Sequence, residues 1–273
     1  MNESSVGTAK QEESPDQSWP IRLFRKSVLK QRKYQEVVSL LGETEGLSCL
    51  DIGSDNGVIS YLLRQKGGKW KSADLEEQAI ASIRELVGDD VYQLDGGTVP
   101  FGENEFDKVV IVDFLEHIPD DAGFLQELHR VIKPGGKLII NVPNLKNSLL
   151  RRFRLAIGQT DEKHGHLRPG YTRQSIQDLL KGRFAVESSH TYSKFFSEAV
   201  DTMLVFALSL LKRKEGPHTQ KGILVTGQDL NKLRSSFRLY SLIYPVVWLF
   251  AQLDRLLFFQ SGYMMIVKAR VEK

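Results

Sequence analysis

Short apolar runs alternate with amphipathic segments along most of this chain. From residue 47 onward, strand-like runs fall at 47–52, around Ser72, and at 91–94, 108–112 and 137–142. Helix-like periodicity fills the gaps at 58–66, 76–86 and 122–131. A helix over 176–181, a strand over 184–189 and a last apolar strand over 263–271 continue the series. Alternation of this kind predicts an α/β domain with a mostly parallel sheet and helices on both faces. Ahead of it, residues 21–41 read as one basic amphipathic helix stopped by Gly42. Arg22, Arg25, Lys26, Lys30, Arg32 and Lys33 crowd its first half, which reads either as a solvated face or as an attraction to anionic lipid.

The pattern breaks over residues 192–262. Here lie two strongly apolar runs, 199–211 and 239–259, joined by a polar, basic stretch. A membrane span needs about 20 apolar residues. The first run is too short and carries Asp201, and the second is interrupted by Pro245, Asp254 and Arg255. Tyr240, Tyr244, Trp248, Phe250, Phe258 and Phe259, with basic flanks at 212–214 and 234–238, suit a hairpin lying in a membrane interface. The alternative is a helical cap whose apolar faces bury against each other and the sheet. The expected organisation is a disordered polar tail at 1–20, a core at 21–191, an apolar helical insertion at 192–262 and a last core strand at 263–273.

Composition adds limits. A hydrophobic content of 41% in 273 residues supplies one sizeable core, and a formal net charge of +3 gives no global attraction to nucleic acid. The one cysteine, Cys49, falls in a predicted buried strand and reads as a small core residue, which fits a reducing, cytoplasmic setting. The first 18 residues lack an apolar stretch and do not read as a signal peptide.

The densest chemistry lies at Leu47 to Gly57. An apolar strand ends in Asp51, a loop bounded by Gly53 and Gly57 follows, and a helix begins at once. Glycines let backbone approach a ligand, and a helix start offers unpaired N–H groups. No glycine stands two places after Gly53, so the loop is not the G-x-G-x-x-G of a nicotinamide dinucleotide site. The frame Asp51-Ile52-Gly53-Ser54-Asp55-Asn56-Gly57 resembles the first motif of class I S-adenosylmethionine (SAM) methyltransferases, with Asp55 at the family's middle glycine. Further segments agree in order: a second strand ending at Asp74, a third ending at Asp95, Val112-Asp113-Phe114-Leu115-Glu116-His117 and Lys133-Pro134-Gly135-Gly136. Together they are similar to the methyltransferase type 11 group over residues 47–183.

That resemblance implies a Rossmann-like, seven-stranded, mostly parallel sheet with an antiparallel last strand; the hydrophobic helical insertion before that strand departs from a minimal methyltransferase. The resemblance implies SAM as cofactor, with Gly53 and Gly57 at the methionine end, Asp51 reaching the amino group directly or through water, Asp74 the ribose and Asp95 the adenine. Asp113, ending the fourth strand, belongs to the same set. For the acceptor side, His166 is the leading base because an imidazole titrates near neutrality. His117 is either a second candidate or a structural histidine bonded to backbone. Arg168 and Tyr171, in a loop similar to the family's acceptor-side loop, are expected to orient the acceptor. His164 and His166 alone make a poor metal set, so no metal is expected. The function these readings favour is O-methylation of a lipid-borne or hydrophobic acceptor by an enzyme peripheral to a membrane face. A soluble acceptor with the insertion as lid or dimer surface, and a non-catalytic SAM-binding protein, are the alternatives; Asp55 gives weight to the latter.

Overall fold

The computed structural model describes residues 16, 18–146, 148–156, 160, 165–212 and 227–273. The expected disordered tail at 1–20 lies mostly outside these residues.

Seven strands form one sheet in the order β3-β2-β1-β4-β5-β7-β6. They are β1 (Ser48–Ile52), β2 (Lys69–Asp74), β3 (Val91–Gln93), β4 (Phe106–Val112), β5 (Ile132–Pro143), β6 (Phe184–Tyr192) and β7 (Met264–Val271). All pairings are parallel except those of β7, which runs antiparallel to both β5 and β6. Strand order reverses between β1 and β4, so the crevice of the fold opens at their carboxyl ends. The expected lone Lys133–Gly136 turn is absorbed into β5. Phe106 pairs with Ile132 and Lys108 with Lys137, so the Pro-Gly-Gly stretch bulges between two pairings.

The core follows the strand alternation. Leu50, Ile52, Val109 and Ile111 face one layer with Phe124 and Leu128 of α5 (Asp121–Val131). Cys49, Val110 and Val112 face the other with Val37 of α2 (Val28–Leu41) and Leu63 of α3 (Val58–Arg64). Cys49 is fully buried, and burial pushes its thiol up to about 12. It is a core residue, as its strand position suggested. α4 (Glu77–Val87), α6 (Leu149–Ala156) and α7 (Arg173–Leu180) complete the helices of this part; α6 was not expected.

The single helix expected over 21–41 is two: α1 (Trp19–Phe24) and α2. Ser27 is extended, and its hydroxyl accepts from the Lys30 N–H at 3.3 Å, so it caps a new helix. The insertion is a pair of helices, α8 (Phe195–Lys212) and α9 (Gly227–Gln252), with Pro245 inside the latter. One face of α9 packs on α1 and α2. The Trp19 and Phe237 rings meet edge-on at 5.1 Å, Tyr240 donates to the Lys26 carbonyl at 2.8 Å, and Gln31 donates to the Tyr244 hydroxyl at 2.7 Å. Asp254 then caps α8, accepting from the N–H groups of Lys194 at 2.6 Å and Phe196 at 2.8 Å. The expected internal packing is therefore present on one side. The other side leaves Leu242 80%, Val246 69%, Leu249 63% and Phe258 85% exposed. Among the described residues no helix is long and apolar enough to cross a membrane.

Candidate active site

The loop after β1 carries Gly53 at φ +86° and Gly57 at φ +76°. Gly53 lies against the end of β4, where a Cβ would sit 2.9 Å from the Phe114 Cβ. At Gly57 a Cβ would sit 2.7 Å from the Ile83 Cα on α4. Both glycines are thus required by the close approach of loop, strand and helix. Asp55, exposed on the outside of the loop, also adopts a left-handed conformation at φ +53°. Aspartate tolerates that region better than most side chains, so the loop keeps its turn without the family's middle glycine.

Asp51 is 1% exposed, and its carboxylate is committed inside the fold. It accepts from Ser60 at 2.5 Å, Ser72 at 2.7 Å and Arg64 at 3.5 Å. Burial pushes its carboxyl up, against the Arg64 charge and both hydroxyl bonds. The Asp51 carboxylate thus ties β1, α3 and β2 together. Asp74 closes β2, and its Oδ1 accepts from the N–H of Leu75 at 2.7 Å and of Glu76 at 3.3 Å, so it shapes the turn that follows. Asp95 is exposed and closes its own turn with Gly97 at 2.9 Å and with the Thr98 N–H and hydroxyl at 2.7 and 2.6 Å. The Thr98 hydroxyl first, then these N–H groups, hold its carboxyl down at about 2. These acids, Asp74 at the end of β2 and Asp95 just beyond β3, stand at the carboxyl edge of the sheet, where the resemblance required them.

A cleft of about 340 Å³ opens at that edge, beyond β4, β5 and the start of β7. Its walls include Lys30 and Lys33 of α2, Asp113, Glu116, His166, and Arg151 and Arg154 of α6. Asp113 sits at φ +46° at the end of β4, ion-paired with Lys33, and accepts from Asn141 at 2.7 Å. Asn141 in turn accepts from the buried Tyr192 hydroxyl. Burial pulls the Lys33 ammonium down, but the charge and hydrogen bond of Asp113 outweigh it and leave it raised. Glu198 of α8, 3% exposed, pairs with Lys146 at 2.9 Å and closes the far wall.

The histidine expectation divides. His166 lines the cleft; His117 does not, and its Nδ1 bonds the Gly165 carbonyl at 2.9 Å. The rings meet edge-on at 4.9 Å, with Glu116 beside them. His164 lies outside the described residues. Neither Arg168 nor Tyr171 lines the cleft. Arg168 pairs with Asp121 and donates to the carbonyls of Ile118 at 2.9 Å and Pro119 at 3.0 Å. Tyr171, 4% exposed, donates to the Leu115 carbonyl and reaches Asp121 at 2.8 Å. Through these bonds they tie the histidine loop to the turn after β4. Sequence reasoning missed Lys30, Lys33, Glu116 and Asn141 as site residues. The signals were a Lys-x-x-Lys spacing facing one side of a helix, the acid inside Leu115-Glu116-His117, and a polar residue within the apolar β5.

The family model described as a methyltransferase domain matches residues 50–140. Taken with the strand order, this decides the family. The core is a class I SAM-dependent methyltransferase domain. The chain is 30% identical over 122 residues to a ubiquinone biosynthesis O-methyltransferase of Pseudomonas aeruginosa, covering 39% of this chain and 50% of that protein. It is 28% identical over 104 residues to a demethylmenaquinone methyltransferase of Tropheryma whipplei, covering 37% and 44%. The chain therefore spans about half the length of these curated relatives. Among solved structures, a putative methyltransferase from Bacillus halodurans superposes with a TM-score of 0.55 at 17% identity, covering 88% of this chain and 98% of that one. At that identity the methyltransferase domain shares a fold with its neighbour.

Proposed function

We propose that this protein is a SAM-dependent methyltransferase acting on a hydroxyl of a hydrophobic, quinone-like or otherwise lipid-borne acceptor at a membrane surface. The observation that carries the reading is the position of the cleft, which lies between the carboxyl edge of a methyltransferase sheet and an exposed apolar helical insertion. The names of the quinone-pathway relatives support an acceptor of this class.

The donor set fits the cofactor: a backbone loop tight enough to exclude a Cβ at Gly53 and Gly57, with Asp74, Asp95 and Asp113 at or just beyond the strand ends. SAM supplies an electrophilic methyl on a sulfonium. The loop backbone would hold its amino-acid end, Asp74 its ribose hydroxyls and Asp95 its adenine side. Asp113, fixed by Lys33 and Asn141, would face the junction of cofactor and acceptor. The acceptor's proton would leave at the Glu116–His117–His166 cluster, with His166 the imidazole that borders the cleft.

Calorimetry with S-adenosylhomocysteine tests the cofactor half: micromolar-scale binding, about −8 kcal/mol, is expected, weakened by Asp74→Ala. No binding would refute it. Liposome flotation tests the membrane half. Binding should strengthen with anionic lipid and fall in the Trp248→Ser, Phe250→Ser double variant. A wild-type chain that ignores every liposome composition would leave a soluble acceptor as the better reading.

A further inference from the structure

The cluster beside the cleft has the features of a cation site. Glu116, His117 and His166 each offer one ligand atom, and these atoms all lie within 4.8 Å of one another. Tetrahedral coordination with bonds of about 2.1 Å sets ligand atoms ~3.4 Å apart. Each of the three would have to move by less than about 1 Å to close on a metal.

Second, the imidazole of His117 is oriented as metal-bound histidines are. A carbonyl only accepts, so the 2.9 Å contact with Gly165 places the proton on Nδ1 and leaves the lone pair on Nε2. Ligating histidines almost always donate their other nitrogen in this way. Third, the segments that carry the ligands are clamped together. Leu167 N–H donates to the Glu116 carbonyl at 2.9 Å, Arg168 to the Ile118 carbonyl at 2.9 Å, and Tyr171 to the Leu115 carbonyl at 3.2 Å. This gives Arg168 and Tyr171 a purpose. They hold a loop from beyond β5 against a turn from beyond β4, and so preorganise groups distant in sequence.

We propose that Glu116, His117 and His166 bind one divalent transition-metal ion at the acceptor side of the cleft. One carboxylate and two imidazoles suit Zn²⁺, Co²⁺, Mn²⁺ or Fe²⁺ better than Mg²⁺ or Ca²⁺, which favour all-oxygen sets. Glu116 is 1% exposed, so its charge is far from bulk water, where a cation is a strong partner. The nearby ammonium of Lys33 is paired with Asp113 and also feels the Glu116 charge. Because Glu116 and His166 border the cleft, the ion would keep an open position toward it. Three protein ligands and an open position is the pattern of catalytic metals.

The chemistry rests on the methyltransferase reading; the metal site does not. An acceptor hydroxyl bound at the open position becomes more acidic, as metal-bound water does. With the ion in place His166 is a ligand and not the base: the O–H bond breaks and the proton passes to solvent. The oxygen's electron pair then forms the new O–CH₃ bond, while the C–S pair returns to sulfur as a neutral thioether.

The test uses the tag-free full chain, stripped with a chelator. Co²⁺ titration should give a visible d–d band saturating at one equivalent, and equilibrium dialysis should show one Zn²⁺ per chain. Glu116→Gln and His166→Ala should each weaken uptake at least tenfold, while His129→Ala should not change it, since His129 packs on Phe184 and bonds the Glu272 carbonyl. Circular dichroism confirms that each variant is folded; if Glu116→Gln does not fold, the less buried His166→Ala carries the test. A folded wild-type protein with no Co²⁺ band, or uptake unchanged by His166→Ala, overturns the proposal. S-adenosylhomocysteine calorimetry on the same samples separates the readings. Cofactor binding without metal uptake overturns the metal site alone, and metal uptake without cofactor binding overturns the methyltransferase reading alone.

Discussion

Replacing Gly57 by alanine tests whether the ligand loop is held by packing or only by its backbone conformation. Gly57 and Gly46 both have left-handed φ, +76° and +72°, but a Cβ at Gly57 would meet Ile83 Cα at 2.7 Å and Ser82 O at 3.1 Å, whereas Gly46 has nothing within 4 Å. An L-residue in this region costs about 1–2 kcal/mol at either site. The lost freedom of the unfolded chain returns about 0.4–1 kcal/mol at both and cancels in the comparison. Only Gly57→Ala adds the overpacking cost of about 1–3 kcal/mol, because Ile83 belongs to the buried face of α4 and its backbone cannot swing aside. The expected gap between the variants is therefore about 1–3 kcal/mol, roughly 2–6 °C in Tm for a chain of this size. Thermal unfolding followed by circular dichroism measures it, and urea titration gives the same ordering at 25 °C. The loop also moves when α4 is pushed, so S-adenosylhomocysteine affinity should fall in Gly57→Ala and hold in Gly46→Ala. Equal stability of the two variants would refute the packing argument and leave Gly57 as a turn residue only.

Other outcomes follow from single contacts. Arg168→Lys and Tyr171→Phe should lower Tm and metal uptake while leaving S-adenosylhomocysteine affinity unchanged, since both side chains clamp the acceptor-side loop; a changed cofactor affinity at full stability would contradict that role. Asp95 should titrate at about 2 in carbon-detected NMR, so its stabilising effect is present above its unfolded value and lost as pH falls through the folded one; Thr98→Ala should move the titration up toward an ordinary aspartate, and an unmoved midpoint would discount the hydroxyl. Glu198→Ala removes the buried partner of Lys146 and should cost about 1–3 kcal/mol, read as a lower urea midpoint; no change would mean that the far wall does not depend on this pair.

What the sequence disclosed depended on whether partners are near one another along the chain. The sheet was legible because each strand's apolar run is local, and the order of acids at 51, 74, 95 and 113 follows from one strand after another. The break between α1 and α2 was hidden because Ser27 is a cap only if its hydroxyl turns toward Lys30. The ties of Asp51 were hidden because Ser60, Ser72 and Arg64 come from two other elements. Those of Arg168 and Tyr171 were hidden because Asp121, which binds both, lies on α5. The same distance hid the metal set: His166 was compared with its neighbour His164, while its partners Glu116 and His117 are supplied by the turn after β4. His166 lines the cleft because the loop after β5 returns to the carboxyl edge of the sheet.

The cleft also separates what the family contributes from what this chain adds. Residues 50–140 match the family model, and of the cleft walls they supply Asp113 and Glu116. The remaining walls come from α2 before the match and from α6, the histidine loop, α8 and the start of β7 after it. These outer elements are joined to one another: α9 to α1 and α2 through Tyr240 and Tyr244, α8 to the loop after β5 through Glu198 and Lys146, and α8 to the turn after α9 through Asp254. α9 therefore touches α2, which carries Lys33 against Asp113. The acceptor side of the cleft is thus linked to the exposed apolar surface, whereas Asp74 and the glycine loop rest on the sheet. On this arrangement, contact of the insertion with a lipid surface should alter acceptor affinity more than cofactor affinity. Calorimetry with S-adenosylhomocysteine in the presence and absence of anionic liposomes checks the second half of that statement, and a large change in cofactor affinity would show that the two sides are not independent.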